Sequence, residues 1–155
     1  VKQLPHAKSL PLPNYQSGGA AGLDLLAALP GEKAVNIKPG RRRLISTGLA
    51  IELPPGYEAQ VRPRSGLAVK YGLTVLNSPG TIDSDYRGVI EVPLINHGRD
   101  RVKIRHGDRI AQLVVAPVAQ AALIAVAELD VTKRGTGGFG STGKGKSRVP
   151  KPRKL

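Results

Sequence analysis

The 155-residue chain has no cysteine, methionine or tryptophan, and one phenylalanine and four tyrosines are its only aromatic residues. Without cysteine there are no disulfides, thiolate nucleophiles or zinc-thiolate centres, and a reducing compartment suits such a chain. Aromatics at 3% against 40% hydrophobic residues leave the core to Val, Ile, Leu and Ala, enough for one domain of ordinary size. Acidic residues are also few, 11 against 24 Lys and Arg, for a net charge of +13. Such a balance raises nucleic acid or another polyanion as a partner. Six of the cations, Lys144, Lys146, Arg148, Lys151, Arg153 and Lys154, fall in a stretch with no acidic residue that also holds Pro150 and Pro152. Residues 144–155 therefore read as a basic disordered tail, able to make weak polyanion contacts. No long hydrophobic run is present: Pro117, Gln120 and Glu128 interrupt the most apolar segment, residues 113–129, which is too short for a bilayer. The first residues show no apolar run followed by a cleavage site, so no secretory signal is expected. These readings predict a soluble, cytoplasmic protein without a membrane partner.

Short β-like segments punctuated by Gly, Pro and Asn predict an all-β sandwich or barrel. Strands are expected over residues 44–53, 57–61, 74–76, 89–96 and 109–115, with turns at Pro54-Pro55-Gly56 and Asn96-His97-Gly98. A short helix is expected over residues 66–71, after Ser65. Residues 119–129 mix helix-favouring alanines with a Leu-Ile-Ala-Val centre, and the surrounding pattern favours strand. The domain is bounded at 1–130, and apolar content falls after Asp130.

The glycine-rich stretch Arg134-Gly135-Thr136-Gly137-Gly138-Phe139-Gly140-Ser141-Thr142-Gly143 holds the only phenylalanine. Glycines let backbone amides approach phosphates, Arg134 offers a fork of donors, and the ring can stack on a base. A Gly/Ser linker carrying a stray Phe is the alternative. Asn77-Ser78-Pro79-Gly80-Thr81-Ile82-Asp83-Ser84-Asp85-Tyr86-Arg87-Gly88 gathers an amide, carboxylates and a phenol just before an expected strand. One carboxylate there could orient and deprotonate a water, and the Asn77 amide offers donor and acceptor to a pyrimidine edge. Alternatively, the segment is an Asx-rich hairpin satisfying its own backbone. Arg62-Pro63-Arg64-Ser65-Gly66 supplies guanidinium, hydroxyl and amides at a helix start, an anion site or a plain cap at Ser65. Asp24 lies between apolar residues, where it caps a turn or holds a hydrated cation. Gln112 is a polar residue in an apolar strand, expected to make a core hydrogen bond. His6, His97 and His106 lack metal-ligand spacing and read as surface residues, and Arg41-Arg42-Arg43 as a solvated strand end.

The order of these segments is more specific than any one of them. Ala21-Gly22-Leu23-Asp24-Leu25, Pro63-Arg64-Ser65-Gly66-Leu67-Ala68, Gly80 to Gly88, Arg109-Ile110-Ala111-Gln112-Leu113 and Arg134 to Gly143 together resemble the five ordered motifs of the trimeric dUTP pyrophosphatase (dUTPase) family. The resemblance covers about residues 15–143. It implies a β jelly-roll homotrimer whose active sites are shared between subunits, with a flexible glycine-rich C-terminal arm, residues 131–143, closing over the site. It also implies Mg2+-dependent hydrolysis of dUTP to dUMP and pyrophosphate, limiting uracil incorporation into DNA and supplying dUMP for dTMP synthesis. By that resemblance Asp83 would activate the attacking water, and Asn77, Gly80, Tyr86 and Phe139 would bind base and sugar. Arg64, Ser65, Gly66, Gln112, Arg134, Gly140, Ser141 and Thr142 would contact phosphates. Magnesium would ride on the triphosphate, with Asp24 touching it only through water.

Two rival readings remain. A dCTP deaminase of the same fold would use a glutamate on the base and tends to read Arg-Ser-Ser where this chain has Arg64-Ser65-Gly66. A basic nucleic-acid-binding protein would account for the charge, but stacking platforms interleave several aromatics with basic residues.

Overall fold

The computed structural model describes residues 1–138, and among them short alternating segments form eleven strands and one α-helix. The strands are β1 (Lys2–Gln3), β2 (Leu23–Leu26), β3 (Val35–Ile37), β4 (Arg42–Ser46), β5 (Leu49–Ala50), β6 (Tyr57–Arg62), β7 (Leu73–Val75), β8 (Gly80–Ile82), β9 (Glu91–Asn96), β10 (Val102–Ile104) and β11 (Arg109–Pro117). Helix α1 spans Ser65–Tyr71 and ends on Gly72, whose φ of 65° is the left-handed cap that glycine adopts without strain. All of these lie within Val1–Gln120, and the chain from Ala121 on is a separate unit. Phe139, Gly140, Ser141, Thr142 and the basic tail 144–155 lie outside the described residues.

Two antiparallel sheets, in the orders β2-β11-β6-β8 and β4-β9-β7, contribute the inward side chains of a single core. Two ribbons, β1-β5 and β10-β3, complete the ladders. The core is aliphatic, as the composition requires: Leu25, Ile37, Ile45, Leu73, Leu94 and Ile110 are fully buried, while Tyr15, Tyr57, Tyr71 and Tyr86 are all exposed. Alternation accounts for this along β9, where Val92, Leu94 and Asn96 are buried and Glu91 is exposed. None of the helices among the described residues is long and apolar enough to cross a membrane.

Several sequence expectations change. The strand expected over residues 44–53 is broken at Thr47-Gly48, because Gly48 takes a φ of 64° and a side chain there would meet Ala7 and Ala28. Residues 119–129 form no strand: β11 ends at Pro117, which has no N–H for the ladder, and Leu123 and Ile124 stand 96% and 83% exposed. Apolar composition favours a strand only where a partner edge exists. Ser65 is not a cap either; Arg64 occupies that position without a side-chain cap bond, and Ser65 is the first helical residue. Of the three histidines, only His97 is exposed. His106 is half-buried, its Nδ1 accepting from Leu29 N at 3.2 Å and its Nε2 3.2 Å from Ser9 Oγ. His6 is half-buried as well, with Nε2 unpartnered.

Candidate active site

Asp24 lies on β2 between Leu23 and the fully buried Leu25, so alternation turns its carboxylate to the outer face of the sheet. On that face Gln112 of β11 stands opposite both Asp24 and Arg62. Arg109 joins them through a bulge. Residues three apart on a regular strand point to opposite faces, but the register of β11 against β2 shifts between Arg109 and Ala111. The extra residue, Ile110, goes into the core and brings Arg109 to the face that Gln112 occupies.

The result is a carboxylate held by two guanidiniums. Arg64 Nε lies 3.3 Å from Asp24 Oδ1, and Arg109 Nε lies 3.2 Å from Oδ2. Arg64 also donates from Nη1 to the Arg109 carbonyl at 3.1 Å, and Gln112 Nε2 donates to the Pro63 carbonyl at 2.9 Å. Strand β11 thereby fixes the Pro63-Arg64 approach to α1. Gly22 leaves room for that side chain, since a Cβ there would sit 2.6 Å from Gln112 Oε1 and displace the amide. Ser65 and Gly66 follow at the exposed start of α1.

The second group surrounds a cavity of about 160 Å³ lined by Val61, Asn77, Gly80, Tyr86, Glu91 and neighbouring residues. Gly80 keeps it open: a Cβ there would lie 3.1 Å from Asn77 Nδ2 and 3.5 Å from Val61 Cβ. Asp83 follows Ile82, the last residue of β8, and is exposed; its carbonyl accepts the Tyr86 amide at 3.1 Å. Tyr86 donates its hydroxyl to the Val89 carbonyl at 3.2 Å, and its ring covers Gly88 so closely that a Cβ there would overlap the phenol. Arg87 braces the turn, donating from Nη1 to the Ser84 carbonyl at 2.7 Å and pairing with Glu52 at 3.5 Å.

Asp24, Arg64 and Gln112 thus come together, as do Asn77, Gly80 and Tyr86. The wall of the second cavity includes none of the first three. In the separate unit, Arg134 donates from Nε to the Gly137 carbonyl at 2.9 Å, closing a turn in which Gly135 has a φ of 51°. Sequence reasoning did not single out Arg109, Gly22 or Gly88. Arg109 was hidden by the bulge, whereas each glycine could have been read as a place where a polar side chain packs against bare backbone.

No group of three or more His, Asp or Glu residues that could hold a metal occurs among the described residues. Asp24 fits an outer contact. Each Asp24 oxygen meets one guanidinium, and a carboxylate offers about four lone-pair sites, so acceptor capacity remains for metal-bound water.

The family model described as dUTPase matches residues 8–143. The deoxyuridine 5'-triphosphate nucleotidohydrolase of Methylocella silvestris is 60% identical over 144 residues, covering 92% of this chain and 89% of its own. That of Beijerinckia indica subsp. indica is 61% identical over 145 residues, with 94% and 91% covered. Among solved structures, the Staphylococcus bacteriophage 80alpha dUTPase with dUPNHPP superposes with a TM-score of 0.81 at 27% identity, covering 92% of this chain and 96% of the phage chain.

Proposed function

From the premise that the chain belongs to the dUTPase family, we propose that it hydrolyses dUTP to dUMP and pyrophosphate by attack of water on the α-phosphorus, with Asp83 as the base. The observation that carries this reading is the cavity of about 160 Å³ walled by Asn77, Gly80 and Tyr86, with Asp83 just past the end of β8. The space suits a pyrimidine. The Asn77 amide donates and accepts along its edge, and a cytosine 4-amino group would leave a buried donor unpaired. Tyr86 packs its ring beneath the deoxyribose, where a ribose 2′-hydroxyl would clash.

In the reaction a water oxygen bonds to the α-phosphorus as the bond from that phosphorus to the bridging oxygen breaks. The water proton passes to the Asp83 carboxylate and pyrophosphate leaves. Arg64, with the hydroxyl and amides of Ser65 and Gly66, meets the spreading phosphate charge; Asp24 and Gln112 hold that loop in place from two strands. Magnesium carried on the triphosphate would supply charge neutralisation, with Asp24 placed to touch its waters.

The separation of the two groups within one chain favours a homotrimer in which the base pocket of one subunit faces the Arg64 loop of another. Arg134, Gly140, Ser141, Thr142 and Phe139 of the C-terminal arm then complete the site, the ring stacking on uracil. Such an enzyme limits uracil incorporation into DNA and supplies dUMP for dTMP synthesis.

Pyrophosphate release from dUTP, dCTP, dTTP and UTP tests the assignment. Strong preference for dUTP is expected; equal rates would overturn it, and ammonia release from dCTP would favour the deaminase. Base stacking contributes about 1–3 kcal/mol, so Phe139→Ala should lower kcat/KM roughly 10- to 100-fold. Sedimentation should show its oligomeric state unchanged. Gly88→Ala displaces the Tyr86 ring and is expected to lower the dUTP-over-UTP preference by about tenfold. Comparison of kcat/KM on the two nucleotides checks it, and an unaltered ratio would remove Tyr86 from sugar selection.

A further inference from the structure

We propose that the folded body carries a docking surface for double-stranded nucleic acid, built on the β3–β10 ribbon and the turns at its end, beside the Asp24, Arg64 and Arg109 group. Val102 pairs with Ile37 and Ile104 with Val35; Ile37 and Ile104 are buried. Alternation therefore puts Arg101, Lys103 and Arg105 on the opposite, exposed side, one every second residue and about 6.6 Å apart. Two turns that carry further exposed cations flank the ribbon. Asn96, fully buried, donates from Nδ2 to the Ile37 carbonyl at 2.9 Å and to the Asp100 carbonyl at 2.8 Å, while its own amide donates to the Arg41 carbonyl at 3.1 Å. It thereby ties the turn bearing Lys38 and Arg41 to the turn bearing Arg99.

These six cations are uncommitted. Among the described residues the ion pairs are Asp24 with Arg64 and Arg109, and Glu52 with Arg87, so none of the six has a carboxylate oxygen within 4.0 Å. The contrast is sharp across the cavity of about 830 Å³ that Arg101, Lys103 and Arg105 line together with Arg64 and Arg109. The latter two share the single carboxylate of Asp24, and the ribbon's three have no carboxylate oxygen within 4.0 Å. Two carboxylates lie close by: Asp108, on the same cavity, accepts the Arg105 amide at 2.7 Å, and exposed Asp100 forms no ion pair with any of the six. The row of like charge along the ladder costs self-repulsion and suits a partner with regularly spaced negative charge. Phosphodiester backbone has that property. No tyrosine belongs to the ribbon or to its two turns, and Tyr71 is the one tyrosine that lines the neighbouring cavity; one ring is too few for a stacking platform, which favours the outside of a duplex over a single strand.

The test is fluorescence anisotropy of a labelled 20-base-pair DNA duplex against the full chain over a series of salt concentrations. Steeply salt-dependent binding is expected. The R99Q/R101Q/K103Q variant should weaken it at least tenfold and reduce the slope of log K against log salt by roughly 3, about 0.9 for each phosphate no longer neutralised. A second variant, K38Q/R41Q, should act in the same direction through the other turn. Glutamine replacement of all six Lys and Arg of the tail should leave most of the ribbon's contribution in place, and thermal midpoints report whether each variant remains folded. Absence of binding at low salt, tighter binding of the single strand or of anionic phospholipid vesicles, or loss of binding only in the tail variant would each overturn the proposal.

Discussion

Asp83→Asn is expected to lower kcat by roughly 10²- to 10⁴-fold, the usual contribution of a positioned general base, while leaving KM for dUTP and the thermal midpoint close to their original values. The structure explains why fold and reaction should separate at this residue. The turn is held by the Asp83 carbonyl, which accepts the Tyr86 amide at 3.1 Å, and by Arg87, which donates to the Ser84 and Tyr86 carbonyls. The Asp83 carboxylate has no hydrogen bond or ion pair among the described residues, and the side chain is exposed. Asparagine has the same shape and can occupy the same space, but its amide accepts no proton from water. Steady-state pyrophosphate release gives kcat and KM, and a thermal melt gives the fold. Turnover within threefold of the original would remove Asp83 from proton transfer.

Asn96→Ala should have the largest effect on stability, about 3–5 kcal/mol. Its Nδ2 serves the Ile37 and Asp100 carbonyls, and its Oδ1 accepts the Gly98 amide at 2.8 Å, all at a residue with no solvent exposure. Each hydrogen bond contributes about 1 kcal/mol, and stranding buried backbone groups adds about 1–3 kcal/mol apiece where water cannot enter. For a chain of this size the loss corresponds to a fall in melting temperature on the order of 10 °C. Urea unfolding monitored by far-ultraviolet circular dichroism would measure it, with the slope unchanged. A loss below 1 kcal/mol would mean that the turns hold without the amide. Because Asn96 also ties the basic turns together, the variant should weaken duplex binding even where it remains folded.

Much of the fold was legible in the chain. The all-β class, a short helix up to Tyr71 that begins one residue earlier than expected, at Ser65, the turns at Pro54-Pro55-Gly56 and Asn96-His97-Gly98, and the aliphatic core followed from punctuation, alternation and the lack of aromatics. Individual boundaries were less so. Gly48 broke an apolar run because the N-terminal segment packs against its bare backbone, with Ala7 at the point of contact. Residues 119–129 had strand composition and no strand partner. The short strands β1, β3, β8 and β10 are two or three residues long, too brief for a period to emerge.

The sequence by itself determined the family, through five ordered motifs, and with it the residue types that the proposed chemistry would use: a carboxylate at Asp83, an amide at Asn77, guanidinium and hydroxyl at Arg64-Ser65. These are local facts, written in spacing along the chain. Tertiary structure alone decided which residues meet. Asp24, Arg64 and Arg109 are far apart in sequence and converge because β2 and β11 pair with an extra residue in the register, and a bulge is set by the balance of ladder and core packing across two strands. Asn96 looked like a turn residue and proved to be a fully buried junction, because burial depends on what packs around a side chain rather than on its own polarity. The cations of the β3–β10 ribbon were counted in the net charge from the start. Only the fold showed them aligned on one face without carboxylate partners, since charge is a sum over the chain and a surface is a matter of position.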